Sequence, residues 1–403
     1  MRTIPLTVAC LTAACALSAA PASAQMVPKD KFNILVMTDL SSSFSETSGQ
    51  GDVEFAKMAV ADFGGKINGV PINVIVVDNK LDPAISVNKA REIIDTQGVN
   101  LITDVPSSAA AIAIAKLANE RHILTTFTSP GSTALTNEYC GKYTWHFGFD
   151  TNAMAVPVKK VTQDGAKKWY FIVADYAFGK SLLDSFSAAV KANGGQIIGV
   201  DMVPFPSDDF SSYLLKARAA GAQAIGILNS GQDLRNAVKQ ADEFGLIKAG
   251  IKIVPGQINL SDIKALGPEP WAGVTAGLIW YWNMDADSRK FAERFHKIMG
   301  TYPGDIHAAS YGAVYEILKT VQTIGTDDPD KVVAALEGTK FSDMFARNAV
   351  WRKKDHLVTK TTYVGQVKQP SEIQGQDYMK IIDTVPGDVA YPPDSASTCK
   401  HDW

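Results

Sequence analysis

Short hydrophobic runs alternate along the chain with longer stretches in which apolar and polar residues are mixed. In the first part of the chain, the predicted strands lie at 31–37, 70–77 and 99–103, and the predicted helices at 50–62 and 82–98. Gly64-Gly65 is a typical helix stop, and Asp82-Pro83 is a typical helix start, because Asp caps helices and Pro fits their first turn. Strands that alternate with helices predict a parallel sheet covered on both faces.

The same order of elements recurs in the second part of the chain. Its predicted strands lie at 169–174, 196–203 and 221–228, and its predicted helices open at 175–179, 207–210 and 229–232. The chain is therefore predicted to form two α/β lobes, with polar loops that open helices at matching places. Ligands of open α/β sheets lie beyond the carboxyl ends of the strands, so we expect loops of both lobes to line one cleft.

Ser107 and Ser108 follow the strand at 99–103 and open an alanine-rich helix. One explanation is structural, because a serine hydroxyl often caps a helix by accepting a bond from a backbone N–H. The other is functional, because free N–H groups and the dipole make a helix N-terminus a binding site for anions. The position of the loop in the predicted cleft favours anion binding, and both explanations stay open at this point.

The first residues have the pattern of a secretory signal peptide. Arg2 is followed by the apolar run 4–20 and by Ala22-Ser23-Ala24, which is typical of a cleavage site. We expect residues 1–24 to be removed, so that an exported, periplasmic protein starts at Gln25. A lipoprotein signal at Cys15 is the less favoured alternative, because the apolar run before it is very short. No other segment has the length and apolarity of a membrane span.

Two cysteines, Cys140 and Cys399, remain once Cys10 and Cys15 leave with the signal peptide. An even pair in an oxidising compartment predicts a Cys140–Cys399 disulfide that ties residues 399–403, the C-terminal tail, to the body of the protein. Two free thiols are the alternative. The six histidines show no metal-ligand spacing, so we expect no metal and no cofactor.

Composition and motifs narrow the class of function. The net charge of −3 gives no electrostatic reason to expect a nucleic acid partner. The chain has many loop serines, so an exported serine hydrolase is one alternative, but no Gly-x-Ser-x-Gly elbow and no recognisable triad occur. Dinucleotide-binding and Walker loops are absent as well. We therefore expect a binding protein and not an enzyme.

Several weak motifs occur together in a specific order. They are the Ser-rich loop 40–45, the loop and helix 78–91, and the segments 105–109, 126–136, 175–179, 229–233, 300–303 and 325–328. On these motifs the chain resembles the periplasmic solute-binding proteins of the branched-chain amino acid type, which serve ABC importers. A sensory protein of the same fold is the alternative function.

The resemblance implies a two-lobe, type I Venus-flytrap of α/β class. Its crossovers would lie near Phe149, Trp280 and Asp355. Residues 27–148 and 280–354 would form the first lobe, and residues 149–279 and 355–398 the second. The protein would act as a monomer that closes around a solute and then docks on an ABC permease in the inner membrane.

The resemblance also implies which residues bind the ligand. In the first lobe, a hydroxyl of Ser107 or Ser108 and the loop 129–133, with Ser129, Gly131 and Ser132, would hold a carboxylate. An ordinary Pro-Gly turn is the alternative for that loop. The other candidates are Ser42 and Phe44 in the first loop, Tyr176, Phe178 and Asn229 in the second lobe, and Tyr281 near a crossover. Core packing is the alternative for the aromatic residues and for His146.

Gln257 lies where amino-acid binders of this family place an acidic residue that holds the ammonium group of the ligand. Burial of an ammonium without a counter-charge is costly, so Gln257 argues against an α-amino acid ligand. Asp175 or Asp233 could take over the missing role. We therefore expect a small carboxylate, including an aromatic one, as the ligand, with an amino-acid-like solute as the alternative.

Overall fold

A six-stranded sheet forms the core of the first lobe. The computed structural model describes residues 30–400, so the signal-peptide prediction lies outside the described residues. The strand order is β2-β3-β1-β4-β5-β6, and every pair is parallel except β2 with β3. The elements are β1 (Phe32–Thr38), α1 (Gly49–Asp62), β2 (Lys66–Ile67), β3 (Val70–Asp78), α2 (Pro83–Gln97), β4 (Leu101–Asp104), α3 (Ser108–Arg121), β5 (Leu124–Phe127) and β6 (Thr144–His146).

Local sequence explains why these elements form where they do. Strand β1 is apolar at nearly every position and is buried throughout, because it lies between β3 and β4 with helices on both faces. Helix α2 starts as predicted, since the Asp82 carboxylate accepts a hydrogen bond from the Ile85 N–H and Pro83 occupies the first turn. The small residues Ala110 and Ala111 let α3 pack closely on the sheet.

A four-stranded parallel sheet in the order β10-β9-β7-β8 forms the core of the second lobe. Its middle strands β7 and β9 are the most apolar and are almost completely buried. The elements are α4 (Thr151–Met154), α5 (Pro157–Gln163), β7 (Lys168–Ala174), α6 (Ala177–Ala192), β8 (Gln196–Val203), α7 (Ser211–Ala219), β9 (Ala224–Leu228), α8 (Gly231–Glu243), β10 (Lys252–Pro255) and α9 (Leu260–Leu266).

The rest of the chain returns to both lobes. Helices α10 and α11 pack on α1, while β11, β15 and β16 form an antiparallel sheet beside the second lobe. The elements are β11 (Thr275–Leu278), α10 (Ala286–Met299), α11 (Asp305–Ile324), α12 (Pro329–Leu336), β12 (Lys340–Phe341), β13 (Ala349–Trp351), β14 (Val358–Thr359), β15 (Thr362–Val367), β16 (Met379–Val385) and α13 (Gly387–Ala390).

Three chain segments connect the lobes before the C-terminal segment that follows β16. The chain crosses after His146, after Leu278, and between Thr359 and Thr362. Before the last crossing, Leu357 bridges to His146 and β14 pairs with β13. The exact bounds of the two lobes stay a prediction.

The ammonium of Lys360 lies buried at the last crossing. It donates hydrogen bonds to the carbonyl oxygens of Gly148, at 2.6 Å, and Val358, at 3.0 Å. The bond to Gly148 links the last crossing to the first. Burial lowers the pKa of Lys360 to about 7, an effect that the charges of Asp150, Asp343 and Asp305 partly oppose.

The predicted disulfide is confirmed. Cys140 and Cys399 are bonded, with Cα atoms 5.8 Å apart. Neighbouring hydrogen bonds also hold the end of the chain on the first lobe, since Thr398 donates to the side-chain oxygen of Asn137 and Lys354 donates to the Cys399 carbonyl. The C-terminal segment therefore returns from β16 to the first lobe.

Candidate ligand-binding cleft

A cavity of about 340 Å³, part of it open to solvent, lies between the lobes. None of its lining residues carries a formal charge. The lining consists of Phe44, Thr47, Ser48, Pro106, Ser107, Ser108, Ser129, Pro130, Gly131, Tyr176, Phe178, Ser230, Gln257 and Ile306.

The N-terminus of α3 forms one wall of the cavity. The hydroxyl of Ser108 is buried and has no hydrogen-bond partner within the protein. Ser107 occupies the N-cap position, but its side chain makes no capping hydrogen bond. Helix capping therefore does not account for the two serines. A buried polar atom without a partner is costly, and its position at a helix N-terminus suits a ligand that supplies the missing acceptor.

The backbone before α3 is strained. Asp104, Val105 and Ser107 have φ angles of 78°, 60° and 75°, a region that residues other than glycine rarely adopt. Strain of this kind costs free energy of order 1–3 kcal/mol per residue and is concentrated at ligand sites. It turns the chain sharply between β4 and α3, so that both serines reach the cavity.

Ser129 also lines the cavity, and its hydroxyl contacts two buried carboxyl groups. Its hydroxyl donates to Asp104 and lies 3.5 Å from a carboxylate oxygen of Asp52. Burial raises the pKa of Asp104 to about 6. Burial and the neighbouring charge of Asp104 raise the pKa of Asp52 well above its usual range. Burial thus favours the neutral form of both carboxyl groups.

Aromatic rings from the second lobe form the facing wall. Tyr176 and Phe178 lie at the start of α6, with ring centroids 6.1 Å apart. Gly131 of the first lobe lets Phe178 approach, because a Cβ at Gly131 would lie 2.6 Å from the Phe178 ring. The cavity thus has hydroxyl groups on one side and flat apolar surfaces on the other, an arrangement that fits a planar ligand with a polar end.

The lobes contact each other across the mouth of the cavity. Phe44 stacks on Phe205 of the second lobe with ring centroids 6.0 Å apart. The Arg235 guanidinium lies 3.4 Å from the Glu46 carboxylate and 2.8 Å from that of Asp262. The structure is therefore a closed arrangement of the two lobes.

Comparison with known proteins decides the family. The sequence profile of the family described as "Periplasmic binding protein" matches residues 31–375. The chain belongs to this family. In general terms, it is a periplasmic solute-binding protein of the ABC type. The predicted family and the predicted fold class are both confirmed.

Individual proteins are similar over most of their length. A periplasmic binding protein from Burkholderia mallei is 39% identical and matches with a TM-score of 0.88 over 92% of this chain and 98% of that one. Leu/Ile/Val-binding protein homolog 6 of Brucella melitensis biotype 1 is 26% identical over 335 residues, 81% of this chain and 84% of the relative. A solute-binding protein of an ABC transporter from R. palustris, in complex with 4-hydroxybenzoate, shares the fold, with 23% identity and a TM-score of 0.82 over 90% of this chain and 98% of that one.

Four of the predicted ligand residues of this periplasmic binding protein lie outside the cavity lining. Ser42 donates to Asp39 within its own loop, and Ser132 caps a short helical turn at Ala134. Asn229 donates to the buried Asp233 carboxylate at 3.2 Å. These side chains have protein partners and shape the loops around the cavity without lining it.

Tyr281 is the fourth. Its hydroxyl donates to Asp377 at 2.7 Å and accepts from the Met379 N–H at 3.1 Å. The alternation of a strand would have turned Tyr281 into the cleft, but residues 279–285 form no strand. Trp280 and Trp282 are buried, as core packing requires.

The other candidates also have roles outside the lining. His146 lies 2.7 Å from the Pro130 carbonyl through its Nε2 atom, so it supports the loop of Ser129 from behind. Asp175 forms an exposed ion pair with Lys180. Asp233 is buried behind Tyr176, and burial raises its pKa to about 6. Neither aspartate lines the cavity.

Gln257 lines the cavity, and its Nε2 atom is buried without a hydrogen-bond partner. It is thus a second donor, after Ser108, that the protein leaves for a ligand. Sequence reasoning missed six lining residues, Thr47, Ser48, Pro106, Pro130, Ser230 and Ile306, and also missed the Asp52–Asp104 pair. Three of the six, Pro106, Pro130 and Ser230, are next to a predicted residue, whereas Ile306 comes from α11, which is remote in sequence.

Residues 30–400 contain no group of three or more His, Cys, Asp or Glu side chains that could hold a metal ion. Over the same residues, none of the helices combines the length and apolarity that a membrane-spanning helix needs.

Proposed function

We propose that this periplasmic binding protein captures a small aromatic carboxylate between its lobes and delivers it to an ABC permease. The observation that carries the proposal is the buried, unpartnered hydroxyl of Ser108 at the N-terminus of α3, across the cavity from the rings of Tyr176 and Phe178. A carboxylate would accept from the hydroxyl and from the free N–H groups of the helix. The ring of the ligand would pack against the aromatic wall.

The lining argues against an α-amino acid. An ammonium group in a closed cavity needs a carboxylate partner, and no acidic residue lines this one. Gln257 offers a buried N–H donor, which would oppose an ammonium and would suit a hydroxyl or carbonyl oxygen at the far end of the ligand. The amino-acid ligand that the name of the Brucella relative suggests is therefore the competing outcome of the test.

Closure of the two lobes is the mechanism by which the protein would capture its ligand. The ligand would contact serines of the first lobe and rings of the second lobe only when the lobes are closed, so it would shift the population towards the closed form. The permease would then recognise that form. Transport, and not sensing, is the role that we propose for the closed protein.

A thermal-shift screen of the chain from Gln25 tests the proposal. The panel contains benzoate and hydroxybenzoates, aliphatic carboxylates, α-amino acids, and benzamide as an uncharged analogue of benzoate. A ligand that binds only the folded state raises the melting temperature. We expect shifts with the aromatic carboxylates and none with benzamide. Shifts with leucine or valine alone would overturn the proposal.

A further inference from the structure

Ser129 has a single hydroxyl proton, and in this structure that proton is directed to Asp104. A serine hydroxyl donates one hydrogen bond, so while Ser129 donates to Asp104 it can only accept at the cavity. A ligand carboxylate is itself only an acceptor, and two acceptors repel. The hydrogen-bond pattern at this edge of the cavity is thus mismatched to the ligand class that we propose.

The buried pair has no cation to offset its charge. Asp52 on α1 and Asp104 at the end of β4 are both fully buried, and within residues 30–400 neither carboxyl forms an ion pair with a lysine or arginine. Hydroxyl groups surround the pair, from Thr38, Thr128, Ser129 and Ser310. Any negative charge on Asp104 is therefore uncompensated, and it lies close behind the wall that would receive an anion.

Two other titratable groups lie on the elements packed around the pair. His307 on α11 contacts Gly51, next to Asp52, and burial lowers its pKa to about 4, so it is neutral above pH 5. The Asp39 carboxylate accepts from the Ser42 and Phe44 N–H groups in its own loop. Neither group neutralises Asp104, so only a proton on Asp104 itself can remove the charge.

We propose that the cleft binds its carboxylate ligand together with one proton, which Asp104 takes up so that Ser129 can donate to the ligand. The inference rests on the carboxylate ligand of the proposed function. The proton comes from solvent. Protonated Asp104 donates to the Ser129 oxygen, and Ser129 turns its own proton to the ligand. Asp104 then carries no negative charge behind the wall that receives the ligand.

The sign of the pH dependence follows from this exchange. Above the pKa of Asp104, which burial raises to about 6, the free protein must bind a proton before the ligand carboxylate finds its donor. The dissociation constant should therefore rise with pH, by about tenfold for each pH unit once one full proton is taken up per ligand. Below that pKa the dependence should disappear.

Isothermal titration calorimetry measures the proton directly. Benzoate and 4-hydroxybenzoate are titrated into the full mature chain at pH 5.5 to 8, in buffers of different ionisation enthalpy. We expect the uptake of close to one proton per ligand at pH 7.5. Tight binding at every pH without proton uptake would overturn this inference and leave the proposed function intact. No binding of any aromatic carboxylate at any pH would overturn both.

The variant Asp104→Asn tests whether Asp104 is the group that takes up the proton when the ligand binds. The amide of the variant can donate to the Ser129 oxygen at every pH, so we expect pH-independent affinity and no proton uptake. Asp233→Asn is the matched control, because Asp233 is also buried with a pKa of about 6 but lies in the second lobe, away from Ser129. It should keep the uptake of the natural protein. Uptake that persists in Asp104→Asn, or is lost in Asp233→Asn, would contradict the assignment. If Asp104→Asn fails to fold, the calorimetry of the natural chain still shows whether a proton is taken up with the ligand.

Discussion

Phe44 of the first lobe and Phe205 of the second lobe stack at 6.0 Å with 27° between their rings. Phe205 in turn stacks on Tyr176 of the cavity wall, at 4.5 Å. The contact between the lobes is thus continuous with the surface that would receive the ligand. If the ligand binds there as we propose, closure and binding depend on the same aromatic group.

Phe44→Ala should weaken ligand binding by about three- to tenfold, because the closed form loses an aromatic pair worth roughly 0.5–1.5 kcal/mol. Calorimetry with the ligand found in the screen measures the change. Phe63→Ala is the control, since Phe63 packs against Tyr315 within the first lobe, away from the cavity. It should lower the melting temperature without changing the affinity. Equal affinity losses in both variants would show that Phe44 has no special role in closure.

Ser108→Ala should lower the affinity for an aromatic carboxylate by about 10- to 100-fold, since a hydrogen bond to a charged group contributes roughly 1.5–3 kcal/mol. The melting temperature without ligand should not fall, because the hydroxyl has no partner in the protein. Ser42→Ala is the control from the same lobe, because its hydroxyl donates to Asp39 and lies outside the lining. An unchanged affinity in Ser108→Ala would contradict the placement of the ligand at α3.

Gln257→Glu should change the class of ligand. A carboxylate at this position would repel an anionic ligand and would provide the counter-charge that an ammonium needs. We expect the thermal shift with aromatic carboxylates to disappear and a shift with leucine or valine to appear. Gln257→Leu removes the amide without adding charge and should weaken carboxylates without admitting amino acids. A gain of amino-acid binding in both variants would mean that charge is not the deciding factor.

Lys360 should make the protein more stable as the pH rises from about 7 to 10. Its pKa is about 7 in the folded protein and roughly 10.4 in an unfolded chain, so between these values the unfolded state binds more protons. Stability then increases with pH. Urea unfolding from pH 6.5 to 9.5 measures the slope, which Lys360→Met should reduce. Lys160→Met, which removes an exposed ion pair with Asp164, should keep the natural slope. The same slope in all three proteins would contradict a buried, titrating Lys360.

Removal of the disulfide should affect stability but not binding. The bridge closes a sequence separation of 259 residues, and loss of a disulfide typically costs about 2–4 kcal/mol. The double variant Cys140→Ser, Cys399→Ser should therefore melt at a lower temperature, while its ligand affinity stays the same, because neither cysteine lines the cleft. The natural chain treated with a reducing agent provides an independent comparison. A tenfold loss of affinity would show that the bridge affects closure.

Strands and loops that are determined by residues close together in the sequence could be predicted. The run at 31–37 became β1, shifted by one residue, because a strand between two others must be apolar throughout. The loops at Ser107 and Phe178 reached the cavity because they follow parallel strands whose carboxyl ends meet at one edge.

Features that depend on long-range contacts could not be predicted. Asp52 and Asp104 lie on a helix and a strand, and nothing in their spacing indicates that folding brings them together under Ser129. Tyr281 was a candidate because it lies near a crossover, whereas its hydroxyl is held by Asp377 and Met379, almost a hundred residues later. A single sequence does not show such pairings.

The bridge between Cys140 and Cys399 has a topological consequence. The ring that it closes includes every place where the chain passes between the lobes. A single proteolytic cut inside the ring therefore releases no fragment, and a nicked molecule migrates as the intact mass until it is reduced. Separation of the two walls of the cleft requires two cuts, or one cut and a reductant.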